Sequence, residues 1–340
     1  MSTTPVEVLI TVSFADNLLA RLRTISPRLR FAVHPARKAE EIPVDVWKRA
    51  EVLYTSDVLP EPEKAPNLKW VQLHQAGVDD MNEHPLLNQE GVAVTTLSGA
   101  AAPQMAEFAV MLLLTLGHRL PAILQNQARA DWPKDRWERF NPRELRKSTV
   151  GIVGYGSIGR EVARLLQPFD VQILATKRDA MHPADNGYMP EGMGDPEGNL
   201  FSRLYPAEAL RSMLKECDFV VVTAPLTADT HNLIGEEELR AMKNTAYLVD
   251  VSRGGVVNQR ALLSALQENR LGGAALDVFP EEPLPANSPF WRLHNVIISP
   301  HIAWLTPHYN ERAIDLFAVN LDHYLGGAPL LNRYESERGY

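Results

Sequence analysis

Apolar residues recur along this chain in short blocks separated by longer amphipathic stretches. In the first hundred positions the blocks are residues 6–12, 30–33, 52–54, 69–73 and 92–95. Runs this short and rich in Val, Leu and Tyr predict buried strands, and the helical spacing between them predicts parallel strands joined by helices. The alternation therefore predicts an α/β domain. From Pro103 the pattern changes to AEFAVMLLLTLGHRL, whose apolar density predicts one long helix with proline in its first turn. That helix is expected to link two domains. At Thr149 the alternation restarts with a strand over 149–153, a glycine-rich turn and a helix, followed by strand candidates at 171–175, 218–223, 246–251, 273–276 and 296–298. A second doubly wound sheet is expected. Residues 181–206, MHPADNGYMPEGMGDPEGNLFSRLYP, break the rhythm; rich in Gly, Pro and acids, they read as a surface insertion.

Length and composition narrow the class. A chain of 340 residues is too long for one ordinary core and fits two domains. With 45% apolar and 22% charged residues it belongs with globular proteins, not with disordered or fibrous ones. Thirty-four Lys and Arg against 42 Asp and Glu leave a formal charge of -8, which argues against nucleic acid and anionic membranes as partners. No basic region precedes the first apolar run, and the apolar stretch from Phe108 to Leu116 is too short for ~30 Å of hydrocarbon. Cys217 is the only cysteine, so no internal disulfide and no thiolate metal cluster can form. A cytoplasmic protein without a metal site is the expectation.

The strongest local signal is the run Gly154-Tyr155-Gly156-Ser157-Ile158-Gly159 between strand 149–153 and a helix. A bare GxGxxG is often only a glycine-rich turn, but strand before and helix after are the context a dinucleotide site requires. The first glycine permits the tight turn, the second lets a pyrophosphate approach the backbone, and the third lets the helix lie close to the sheet. The helix N-terminus then offers free N–H groups to the phosphates. An acid at the end of the next strand would bond the 2′-hydroxyl of NAD. Here the strand ends in Thr176-Lys177-Arg178, two cations suited to the 2′-phosphate of NADP. Two readings stay open: the cations face water, or Asp179 reaches the ribose because the turn is one residue longer, which keeps NAD in play.

Three later stretches carry candidate chemistry: LVDVSRGGVV around Arg253, AALDVFPEEPLP around Glu282 and VIISPHIAW around His301. Taken singly, each has a duller explanation as a surface arginine, a loop acid and a packed ring. Together with GYGSIG, HQAGVDD at 74–80, MAEFAVMLLL at 105–114 and APLT at 224–227, they resemble the D-isomer-specific 2-hydroxyacid dehydrogenases. Trp304, in HIAW, is similar to the glyoxylate and hydroxypyruvate reductase branch. The resemblance covers most of the chain. It implies two Rossmann-like doubly wound parallel-sheet domains, with a dinucleotide-binding domain at 102–300 inserted into a discontinuous substrate domain at 1–101 and 301–340. It also implies an active site in the cleft between them and a homodimer built on the coenzyme domain. The implied reaction is hydride transfer between NAD(P)H and a small 2-oxo acid or D-2-hydroxy acid such as glyoxylate or hydroxypyruvate.

Carried over residue by residue, the resemblance makes Arg253 the holder of the substrate carboxylate, His301 the general acid or base and Glu282 its orienting group. Ala76, Gly77, Val78 and Trp304 join Arg253 and His301 in the substrate site. Ala224, Pro225, Thr230, Val251 and Ser252 join the GYGSIG turn, Lys177 and Arg178 in the coenzyme site, with Asp277 at the nicotinamide amide. The chemistry agrees, because reducing a 2-oxo acid builds negative charge on the carbonyl oxygen and calls for a fixed guanidinium and a proton donor.

Departures from the family pattern also carry information. Thr96 stands where the family commonly has Asn, and 181–206 is longer than the usual connection and is expected over the adenosine end. Glu282 stands where formate dehydrogenases of the superfamily place Gln, which disfavours formate. The chain stops soon after SPHIAW, so an appended regulatory domain of the kind many phosphoglycerate dehydrogenases carry is not expected. Two alternatives remain at this point: a dehydrogenase for another donor such as phosphoglycerate or phosphite, and a nucleotide-sensing protein of the corepressor type. Turnover with 2-oxo acids separates the enzymes from the sensor.

Overall fold

The computed structural model describes residues 4–79, 81 and 83–335. Asp80, the last residue of the HQAGVDD motif, lies outside the described residues, as do residues 336–340 of the expected substrate domain. The chain divides into two compact units, Met1–Ala101 with Thr306–Tyr340, and Ala102–Leu305.

The first unit holds a five-stranded sheet built from β1 (Val6–Ile10), β2 (Leu29–Val33), β3 (Val52–Thr55), β4 (Trp70–Leu73) and β5 (Ala93–Thr95). Their order is β2-β1-β3-β4-β5 and every pairing is parallel. Helices α1 (Asp16–Arg23) and α2 (Val44–Arg49) belong to this unit, as does the C-terminal helix α10 (Tyr309–Gly326). Strands buried on both faces need helices on both faces. On one side Ile314, Phe317 and Leu321 of α10 pack with Leu18, Leu19 and Leu22 of α1 over Val8, Tyr54 and Trp70. On the other, Val46 and Trp47 of α2 pack with Leu9, Leu53 and Val71.

The second unit opens with α3 (Ala102–Gly117), α4 (Leu120–Ala128) and α5 (Arg136–Arg139). The long helix expected from Pro103 is α3, which ends at Gly117, three residues short of the expected run; Arg119 then takes a left-handed φ of 54° and α4 leaves α3 at 66°. A Cβ at Gly117 would lie 2.6 Å from the Arg143 carbonyl, so the chain crosses closely there and the helix turns away. No single helix among the described residues is long and apolar enough to cross a membrane.

Strands β6 (Thr149–Val153), β7 (Gln172–Thr176), β8 (Arg203–Tyr205), β9 (Phe219–Val222), β10 (Tyr247–Asp250), β11 (Gly273–Leu276) and β12 (Val296–Ile298) form the second sheet. Its order is β12-β11-β10-β9-β6-β7-β8, again parallel throughout. Helices α6 (Ser157–Leu166), α7 (Leu210–Leu214), α8 (Glu236–Ala241) and α9 (Gln259–Gln267) cover it, with α3 packed on α6. Both expected doubly wound sheets are present. The strand order reverses between β6 and β9, and open α/β sheets bind ligands at the carboxyl ends of strands at such a switch. The glycine turn follows β6 and the Ala224-Pro225 segment follows β9, so both stand at this point. Strand β8 forms at the end of the stretch that the sequence reads as a surface insertion.

Candidate active site

The glycine turn is built by close approach. Gly154 has φ 97°, and a Cβ there would lie 2.7 Å from the backbone N and Cα of Ala224. Only glycine serves both the left-handed turn and the contact with the β9 loop. A Cβ at Gly159 would meet the Gly154 carbonyl at 2.6 Å and Ile152 at 2.9 Å, which explains the third glycine as a helix-to-strand contact. Gly156 is different, since a Cβ there would meet nothing within 4 Å. Its missing side chain leaves open space in front of the turn rather than room for a protein neighbour. Gly156 is also the N-cap of α6 and supplies no side-chain cap. These features fit a pyrophosphate held on backbone N–H groups. Thr223 and Thr176 fix the turn, Thr223 Oγ1 donating to the Gly154 carbonyl at 2.7 Å and Thr176 Oγ1 accepting from Gly154 N at 3.2 Å. Thr230 folds the next loop by donating to the Pro225 carbonyl at 2.6 Å and accepting from Thr227 N.

At the end of β7 the side chains diverge. Lys177 Nζ donates to the carbonyls of His182 and Ala184. Burial, together with Arg160 nearby, lowers its pKa. Arg178 is exposed and faces Asp229 at 3.5 Å. Asp179 turns back on its own loop, with Oδ1 accepting from Met181 N and Oδ2 lying 2.7 Å from His182 Nδ1.

Three loops at the carboxyl ends of neighbouring strands bring Arg253, Glu282 and His301 into one constellation. His301 Nδ1 lies 2.7 Å from Glu282 Oε2, and Glu282 Oε1 accepts from Phe279 N at 2.8 Å. The carboxylate is thus fixed at both oxygens, which orients the imidazole and leaves Nε2 as its outer nitrogen. The Arg253 loop reaches the same place, since a Cβ at Gly254 would lie 2.0 Å from the Phe279 carbonyl. The third residue of SRGG must therefore be glycine for the two loops to touch. Arg253 is half-buried, and its Nη1 donates to the Ser252 carbonyl at 2.9 Å. Trp304 is exposed and belongs to the same unit.

Two buried carboxylates underlie these loops, and the sequence assigned neither to this task. Asp250 ends β10 and its Oδ1 accepts from both the N and Oγ of Ser252, the residue before Arg253. Asp277 follows β11 and is 1% exposed. Its Oδ1 accepts from Ser299 Oγ at 2.6 Å and Ile302 N at 3.0 Å, and its Oδ2 from Ala303 N at 2.9 Å. His301 between them holds a left-handed φ of 53° while its N–H donates to the Asp277 carbonyl. Such backbone persists only where the surroundings over-determine it. The Asp277 carboxylate is engaged by the His301 loop in this structure, with Oδ2 accepting one bond, from Ala303 N. A signal for this role existed in the short spacing from LDV to SPHIA, but reading it requires knowing that β11 and β12 are neighbours.

Asp250 is raised to about 7 by complete burial, with the Ser252 bonds opposing and Asp277 adding to the rise. Its folded pKa thus stands above the unfolded value of 3.8. Between roughly pH 4 and pH 7 the unfolded chain gives up a proton that the native state keeps, so stability falls as pH rises through that window. Asp250→Asn is expected to remove this slope, raising Tm relative to the unmodified protein more at about pH 8 than at about pH 5. Thermal melts across the range check it, and an unaltered slope would remove Asp250 as its source.

Ala76, Gly77 and Val78 belong to the first unit, in the loop after β4. His74 starts that loop; its Nδ1 lies 2.6 Å from the Tyr54 hydroxyl, and its carbonyl accepts from Tyr309 OH at 3.0 Å. Burial lowers the His74 pKa to about 4, so it is a neutral packing group.

A parallel sheet with a glycine turn at its switch point, beside a paired His and Glu and an arginine loop, defines a dehydrogenase that uses a nicotinamide dinucleotide. A family model, D-isomer specific 2-hydroxyacid dehydrogenase, NAD binding domain, matches residues 110–303. A glyoxylate reductase from Thermofilum pendens is 37% identical over 267 residues, covering 78% of this chain and 74% of that protein. Among solved structures, a D-isomer specific 2-hydroxyacid dehydrogenase from Xanthobacter autotrophicus Py2 in complex with NADPH and MES superposes with a TM-score of 0.78. It is 26% identical and covers 99% of this chain and 100% of its own. A family member from Aeromonas salmonicida gives a TM-score of 0.77 at 27% identity, covering 98% of this chain and 100% of its own. The chain belongs to the D-isomer specific 2-hydroxyacid dehydrogenases. It is an oxidoreductase that uses NAD(P) to interconvert 2-oxo and 2-hydroxy acids.

Proposed function

We propose that this enzyme reduces glyoxylate, hydroxypyruvate or a related short 2-oxo acid to the D-2-hydroxy acid, with NADPH favoured over NADH. The observation that carries the reading is the Glu282–His301 pair at 2.7 Å with the Arg253 loop seated against the same Phe279. Arg253 holds the substrate carboxylate with its planar fork and polarises the carbonyl. His301 Nε2 delivers a proton to the carbonyl oxygen in reduction and takes it back in oxidation. Glu282 keeps the ring turned so that Nδ1 faces protein. The nicotinamide, when bound, supplies the hydride to the carbonyl carbon. The glyoxylate reductase from Thermofilum pendens supports the substrate class. Steady-state assays with a panel of 2-oxo acids, phosphoglycerate and phosphite test it; faster turnover of either phosphorus compound than of any 2-oxo acid would overturn it.

Coenzyme preference rests on Arg178. An exposed pair such as Arg178–Asp229 contributes little, so a 2′-phosphate readily displaces Asp229. Asp179, the acid that would restore NAD use, already bonds Met181 and His182. A charge-assisted bond of ~1.5–3 kcal/mol would favour NADPH in kcat/KM by about ten-fold or more. Arg178→Ala should lower NADPH use far more than NADH use, and added salt should narrow the preference. Equal efficiency with NADH in the unmodified enzyme would sink this assignment.

Other features bear on assembly and compartment. Leu120, Ile123, Leu124, Trp132 and Trp137 stand exposed in the second unit, which supports a homodimer through this segment. A cytoplasmic location is proposed from the use of a single cysteine, Cys217, whose thiol is buried and pushed up to about 12 and is therefore unreactive.

A further inference from the structure

Residues 181–200 contain no helix or strand, yet they are fastened to the glycine turn by buried polar groups. Tyr155, the second residue of the turn, is 1% exposed and donates its hydroxyl to Asp195 Oδ2 at 2.6 Å. Asp195, itself buried, also accepts from the N–H groups of Asn199 and Leu200. Arg160 directly follows the last glycine and is 1% exposed. Its guanidinium donates to the carbonyls of Asp195 and Pro183 and lies 3.2 Å from Asp185. Glu161 beside it accepts from Gly194 N at 2.6 Å. Gly198 closes the segment with φ 69°, and a Cβ there would lie 2.4 Å from the Pro183 carbonyl.

A buried charge is costly without partners, and Arg160 draws its two carbonyl acceptors and Asp185 from this segment, so the segment and the start of α6 form one folded piece rather than a loop laid over a surface. Lys177 fits the same scheme. It occupies the position after β7 where dinucleotide folds meet the adenosine ribose, yet its ammonium binds two carbonyls of this segment. We infer that residues 181–200 are a fixed wall of the coenzyme's adenosine end, and that Lys177 is a positioning residue holding that wall, leaving Arg178 as the cation for a 2′-phosphate. The last clause rests on the NADPH reading above; the wall itself serves either coenzyme.

The two roles of Lys177 give different results. If it holds the wall, Lys177→Met should weaken binding of NADPH and NADH by similar factors, about five-fold or more each. Gly198→Ala, which displaces the segment without touching either cation, should do the same. Both variants should lower amide hydrogen-exchange protection across 181–200. Dissociation constants from calorimetry at two salt concentrations, with 2′,5′-ADP as a third probe, provide the comparison. Loss of NADPH and 2′,5′-ADP affinity alone in Lys177→Met, with a shallower salt dependence and unchanged exchange, would make Lys177 a direct phosphate ligand and overturn the inference. Unchanged affinity for both coenzymes in the two variants would also overturn it. Arg178→Ala separates the underlying reading: undiminished NADPH affinity there refutes the NADPH assignment, while the NADH measurements still judge the wall.

Discussion

Arg253→Ala is expected to lower kcat/KM for the preferred 2-oxo acid by about 10³-fold or more while coenzyme affinity changes little. The size follows from two interactions lost together. One is the charge-assisted fork on the substrate carboxylate, at ~1.5–3 kcal/mol. The other is stabilisation of charge growing on the carbonyl oxygen, at ~3–4 kcal/mol for one donor in a preorganised site. The backbone should survive the change, because Asp250 and Ser252 hold one side of the loop and Gly254 seats the other against Phe279. Arg253→Lys keeps the charge but not the fork and should fall between the two. Single-turnover rates and KM for a 2-oxo acid, with coenzyme binding measured separately, check the prediction. Turnover within ten-fold of normal in Arg253→Ala would take the residue out of the mechanism.

What the sequence disclosed depended on the range of the interactions involved. Strands such as 149–153 and 273–276 are nearly continuous apolar runs, because a parallel strand is buried on both faces, and their bounds agree with the structure. The GYGSIG turn was legible because each glycine answers a local backbone demand. Position 102 as the start of α3 was nearly legible from Pro103, but the break at Gly117 depends on the Arg143 carbonyl, 26 positions further along. The 181–200 segment was read as surface because its composition is that of a loop. What folds it is Arg160 and Glu161, two charges that on a helix usually face water. Their burial becomes visible only when Asp195 and Gly194 are brought back across β7. Asp277 was hidden for a similar reason: it holds the loop after β12, and β11 and β12 are neighbours only in space. Asp250 bonds Ser252 only two positions on, a local contact that any acid at a strand end can make.

The proton-transfer pair gives the second large effect. His301→Ala removes the group that donates in reduction and accepts in oxidation, so both directions should fall by about 10²–10⁴-fold. Reduction consumes the imidazolium proton and oxidation needs the neutral ring, so the two directions draw on opposite protonation states of one group. Glu282→Gln tests the geometry more sharply. Glu282 Oε1 accepts from Phe279 N, so a glutamine must keep its oxygen there and turn its NH₂ toward His301 Nδ1. Nδ1 must then accept, which forbids the doubly protonated ring and fixes the neutral tautomer with hydrogen on Nε2. That tautomer is a poor donor for reduction and cannot act as base in oxidation; an equivalent tautomer error in a hydrolase triad costs on the order of 10⁴. Glu282→Ala leaves Nδ1 to water and permits both protonation states. The glutamine variant should therefore be slower than the alanine variant in both directions, despite its closer match in size. Coenzyme affinity should hold in both, since the glycine turn lies on other strands. If glutamine supported faster turnover than alanine, the carboxylate would be acting through packing, and the orienting role assigned to Glu282 would be wrong.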